Sequence, residues 1–158
     1  MRWALLIGIV AVFVAPGCSQ AAAGCSGLTG SFTAVPNSAG AGNIVYTLRL
    51  HKTGTGSCVL QGLPQVRLLG TGGKALPTKV LPDPRFKPKT FVLRAGHTAS
   101  AQARFTPDVP GPGEQSTGTC EPIAHTLRVD AAGTTVVVAI HPPTRVCVHG
   151  RMTFTPYR

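Results

Sequence analysis

Five cysteines, five histidines and five carboxylates are the residues of this 158-residue chain best suited to chemistry. The densest group is "CVHG", where Cys147 and His149 stand two apart and would share one face of a strand. With His125 and His141 nearby in sequence, that spacing suits a metal ion only if the cysteine is a free thiolate. In an oxidising compartment it becomes half of a disulfide instead. The carboxylates Asp83, Asp108, Glu114, Glu121 and Asp130 fall one to a loop or strand end, with no local pair for acid–base work. Gly-x-Ser-x-Gly, His-Glu-x-x-His and Gly-Lys-Ser/Thr signatures are all absent from the sequence. "GTGGKA", Gly70 to Ala75, matches a loose dinucleotide fingerprint but joins two strand patterns with no helix after it, and reads as a hairpin turn. No catalytic residue, metal or cofactor is expected, and His51 and His97 fall in turn-rich stretches as solvated side chains.

The compartment is read from the first residues. Arg2 precedes the apolar run from Trp3 to Ala15, which Pro16 and Gly17 interrupt. That is the length of a signal-peptide core and well short of the roughly 20 residues that cross a bilayer as a helix. Residues 1–17 are therefore expected to be a signal peptide of lipoprotein type, with Cys18 the lipid-bearing residue after Ala-Pro-Gly. Pro16 departs from the usual motif, and the alternative cut follows Ala21 to Ala23 and gives a secreted chain. Either cut leaves four cysteines able to pair. Residues 18–24 form a short tether, and residues 25–158 are long enough for one domain.

The formal net charge of +10 favours anionic partners, and export makes these lipid headgroups or acidic envelope polymers; nucleic acid is not expected. The basic residues concentrate between Lys74 and Arg104, with Asp83 the single acid there. Lys79, Arg85, Lys87, Lys89 and Arg94, interleaved with Phe86 and Phe91, are the candidate anion-binding set. The competing reading is a solvated strand edge, where lysines and prolines discourage sheet-to-sheet pairing.

These residues must be carried by strands. "NIVYTLRL" alternates Ile44, Tyr46, Leu48 and Leu50 against Val45, Thr47 and Arg49, the period of a half-buried strand. Further strands are expected at Ser57 to Gln61, Gln65 to Leu69, Ala75 to Leu81, Thr90 to Arg94, Ala99 to Phe105, Ile123 to Asp130, Thr134 to Ile140, Arg145 to Val148 and Arg151 to Thr155. "VVVAI", Val136 to Ile140, lacks alternation and is placed in the interior. Pro82 to Lys89 holds three prolines and is placed in an exposed loop or edge. With 19 Gly and 14 Pro between short runs and no room for crossover helices, the expected fold is all-β: a single antiparallel β-sandwich of about seven to nine strands.

The stretch Gly42 to Pro77, "GNIVYTLRLHKTGTGSCVLQGLPQVRLLGTGGKALP", with Cys120, "HTLRV" and the closing "CVHGRMTFTP", resembles the actinobacterial domain of unknown function family 4232. The resemblance implies an immunoglobulin-like sandwich in a secreted protein or lipoprotein, with no general activity attached. Four cysteines allow three pairings. A hairpin turning at Ala131 to Gly133 would set Ile123 roughly opposite Ile140, which brings Cys120 beside Cys147 and leaves Cys25 for Cys58. The expected role is a non-catalytic envelope binding module, with a secreted hydrolase or carbohydrate-active enzyme, or a carrier with an intersheet cavity, as alternatives.

Overall fold

The computed structural model describes residues 25–115 and 119–158, so the expected signal peptide and tether, Cys18 included, lie outside the described residues. Among the described residues there are ten strands: β1 (Leu28–Ala34), β2 (Ile44–Lys52), β3 (Ser57–Leu60), β4 (Gln65–Leu69), β5 (Lys79–Pro82), β6 (Phe91–Arg94), β7 (Thr98–Phe105), β8 (Ala124–Ala131), β9 (Thr134–Thr144) and β10 (Arg151–Phe154). Eight form one sheet in the order β4-β8-β9-β1-β2-β7-β10-β5, and β3 with β6 forms a separate two-stranded ribbon. Pairing is mostly antiparallel, with two parallel contacts, β1 with β9 and β10 with β5.

Period-2 alternation sets the core. Tyr46, Leu48 and Leu50 of β2 are fully buried, and their β7 partners Ala103, Ala101 and Ala99 are buried beside them. Small alanines there leave room for the aromatic rings: Tyr46 packs 5.1 Å from Phe32 and 5.2 Å from Phe105, centroid to centroid. The Tyr46 hydroxyl is satisfied by donating to the Pro142 carbonyl at 2.8 Å. From the ribbon, Cys58, Leu60 and Leu93 join the same hydrophobic cluster.

One strand is unexpected and three expectations are corrected. β1 carries no clear alternation, since Gly30 and Ser31 occupy its middle, yet it lies between β2 and β9 in the sheet. Gly30 permits this because a Cβ there would crowd the Arg49 carbonyl and Val138. "VVVAI" is buried on one face only: Val138 and Ile140 point inward while Val137 is 58% exposed, so apolar composition hid an alternating strand. Ile123 does not face Ile140, because Thr126 pairs with Ala139 and a bulge then pairs Ala124 with Thr144. Arg145 to Val148 is not a strand, because Cys147 to Gly150 forms a turn in which Val148, His149 and Gly150 all have positive φ.

Pro82 ends the edge strand β5, and the residues after it to Lys89 form a turn, exposed apart from Asp83, where missing N–H groups cost no ladder bonds.

Candidate functional site

The basic segment turns back on itself immediately after β5. The Asp83 N–H donates to the Phe154 carbonyl, the Phe86 N–H donates to Asp83, and the Asp83 carboxylate accepts both the Arg85 backbone N–H and its guanidinium, the latter at 2.6 Å. This two-pronged pair holds the Asp83 carboxyl down at about 2, against the upward push of desolvation. The Arg85 guanidinium also stands 5.6 Å from the Phe86 ring centroid.

Beyond β10 the chain runs on beside β7, with Thr155 bonded to Gln102 and Arg158 exchanging both backbone hydrogen bonds with Ser100. Between this tail and the 85–89 turn lies a cleft of about 420 Å³. Phe86, Pro156 and Tyr157 give it apolar walls, and Arg85, Lys87, Lys89 and Arg158 supply its cations. Among the described residues, Lys87, Lys89 and Arg158 form no side-chain ion pair, and no Asp or Glu side chain lines the cleft. Tyr157 is only 3% exposed and its hydroxyl has no hydrogen-bond partner among the described residues; burial raises its pKa. Its ring also walls a smaller cavity shared with Ala132.

Three of the five residues expected to hold an anion, Arg85, Lys87 and Lys89, are thus gathered in one cleft. Lys79 stands on β5 opposite Arg151, and Arg94 ends β6 opposite Ser57; neither lines the cleft. Arg158 and Tyr157 complete it from the far end of the chain. Nothing in their spacing signals this, because the β10–β7 pairing alone brings them there.

The cysteines pair as the hairpin argument requires. Cys25 joins Cys58 with Cα atoms 5.3 Å apart, and Cys120 joins Cys147 at 5.5 Å. The first bridge fastens the chain just before β1 to the ribbon, where Lys52 Nζ adds a bond to the Ser26 carbonyl. The second uses up the Cys147 sulfur, so no thiolate accompanies His149.

Two carboxylates join His149 instead. Glu114, its side chain 2% exposed, accepts backbone N–H groups from Gly111 at 2.6 Å, Val148 at 2.8 Å and His149 at 2.5 Å. Burial alone would raise its pKa, yet the three donors outweigh that and bring it to about 2. Glu121, 14% exposed, has its pKa raised by desolvation and then by the neighbouring Glu114 charge. His125 and His141 lie outside this group, and His51 sits in β2, bonded to Thr98 at 3.0 Å, rather than in a turn.

Residues 25–158 match the model of a family described as Domain of unknown function (DUF4232). No curated protein and no solved structure matches the chain.

Proposed function

The chain belongs to the DUF4232 family, whose description names no activity, and we propose from its surface that it is an extracytoplasmic, non-catalytic module that binds anionic lipid or envelope polymer. One observation carries the reading. The cleft between the 85–89 turn and the tail presents Lys87, Lys89 and Arg158, without ion-pair partners among the described residues, around an apolar wall of Phe86, Pro156 and Tyr157. Phe86, 42% exposed, offers an apolar foothold beside the cations. Each cation near an anionic surface adds up to about 1 kcal/mol of attraction at moderate ionic strength.

Membrane attachment through Cys18 belongs to the same proposal, as does the immunoglobulin-like sandwich. The apolar run before Cys18 supports the anchor, and the ribbon's share in the core of the large sheet supports the sandwich. The tether would leave the domain at Cys25, whose N–H bonds to Ala132. Ala132 and Tyr157 wall one small cavity, and Tyr157 also walls the basic cleft, so the two share a neighbour with the point where the tether joins the domain.

The test is flotation of the Cys18→Ala chain, which carries no acyl group, with vesicles of phosphatidylglycerol and phosphatidylcholine. Binding should scale with phosphatidylglycerol, fall with salt, and drop at least about tenfold in Lys87→Glu/Lys89→Glu. Binding indifferent to lipid charge, or unchanged in that variant, overturns the module reading. Fatty-acid labelling of the wild type that fails to disappear in Cys18→Ala overturns the anchor.

A further inference from the structure

We propose that Glu114, Glu121 and His149 form a binding site for a divalent transition-metal ion of the zinc type. One ligand atom from each residue lies within 4.8 Å of the other two. His149 Nδ1 stands 3.9 Å from Glu114 Oε1 and 3.9 Å from Glu121 Oε1.

The orientation of the imidazole is set from outside the group. His149 Nε2 lies 3.1 Å from the Pro112 carbonyl oxygen, which can only accept, so Nε2 carries the hydrogen. In the neutral ring, Nδ1 then turns a lone pair toward two carboxylate oxygens. A ring nitrogen donating to a backbone carbonyl while the other faces the ion is the usual outer support of a metal-bound histidine.

Glu114 retains capacity for an ion although it braces the turn. Its Oε2 accepts two backbone N–H groups, from Gly111 and Val148, whereas Oε1 accepts only that of His149. A carboxylate oxygen has two lone-pair directions, so Oε1, the atom facing the imidazole, keeps one. Glu121 accepts no hydrogen bond from a donor among the described residues and is largely buried. Three acceptors therefore converge, two of them on largely buried carboxylates, and a cation at their centre would offset their mutual repulsion.

The donor set selects the kind of ion. Two carboxylates and one imidazole suit zinc and its neighbours, whereas calcium and magnesium favour all-oxygen shells of six or more ligands. Tetrahedral zinc would bring its donors to roughly 3.4 Å apart, about half an ångström closer than the imidazole and carboxylates now stand. Three protein ligands leave a fourth position for water or a ligand. The ion would tie the Glu114 and Glu121 segments to the turn after Cys147, beside the Cys120–Cys147 bridge.

The experiment is zinc titration of the chelator-stripped full chain, both disulfides intact, followed by calorimetry and equilibrium dialysis at neutral pH. One saturable ion per chain is expected, uncompeted by equimolar calcium or magnesium. Glu121→Gln and His149→Ala, which remove neither a core side chain nor a Glu114 contact to backbone, should each weaken it by at least about tenfold. In chelator, Glu121→Gln should melt at or above the wild type, and His149→Ala, which gives up only the exposed bond to the Pro112 carbonyl, within a few degrees of it; this distinguishes loss of the ion from loss of the fold. Absence of saturable zinc binding by the wild type overturns the proposal, as does binding that survives both substitutions together.

Discussion

The Glu114 carboxylate accepts the Val148 backbone N–H at 2.8 Å across 34 residues of sequence. Val148 has φ of 59°, a conformation that a β-branched residue adopts at a cost of about 1–2 kcal/mol, and His149 repeats it at 55°. Successive residues of this kind turn their N–H groups to one side, and Glu114 fills the concavity they make.

That geometry sets the acid behaviour of the fold. A carboxyl whose folded pKa lies below its ordinary value adds stability that is complete above the ordinary value and vanishes as pH falls through the folded one. For Glu114 the window runs from 4.5 down to about 2. Urea midpoints measured across it should decline in the wild type and decline less steeply in Glu114→Gln, which should also melt several degrees lower at neutral pH. Equal slopes would mean that the carboxylate does not hold the turn.

Glu121 has the opposite sign. Its raised pKa means that ionisation opposes folding, so its contribution is lost as pH climbs past 4.5. In metal-free protein, Glu121→Gln should therefore raise the melting temperature at pH 7, and a lower value would count against the crowding of the two carboxylates.

Gly150 closes the turn at φ of 71°, and a Cβ there would overlap the Pro77 carbonyl. Gly150→Ala should cost more than about 2 kcal/mol, read by chemical denaturation, since backbone strain and a clash with main chain add. Gly133→Ala offers a control: its φ is also positive, but nothing lies within 4 Å of the added atom, and the loss should be smaller.

The buried Tyr157 hydroxyl lacks a partner among the described residues, which is a desolvation cost without return. Tyr157→Phe should stabilise the free protein by about 1 kcal/mol in urea melts. A loss of similar size would reveal a partner for the hydroxyl, such as a bound water.

Where burial follows a period of two, strands were legible: the Tyr46, Leu48, Leu50 face and the Ala99 to Phe105 face are as alternation predicts. The disulfides followed from a hairpin whose turn residues were plain, even though a bulge shifted its register. β1 carries no signal in hydropathy, because its placement rests on Gly30 fitting against its neighbours. The turn at Val148 was read as a strand because β-branched residues favour strands, and the opposing influence, Glu114, lies far away in sequence. Similar distance along the chain hid the meeting of Glu114 with His149 and of Arg158 with Lys87.

β1 is the first strand of the described chain to be synthesised, yet its second neighbour in the sheet is β9, reached only when Ile140 and His141 arrive beside Phe32 and Thr33. A chain made amino end first leaves that flank open until most of its length has been synthesised. During that interval the unpaired edge of β1 is open to pairing with any extended segment, its own chain's or another's.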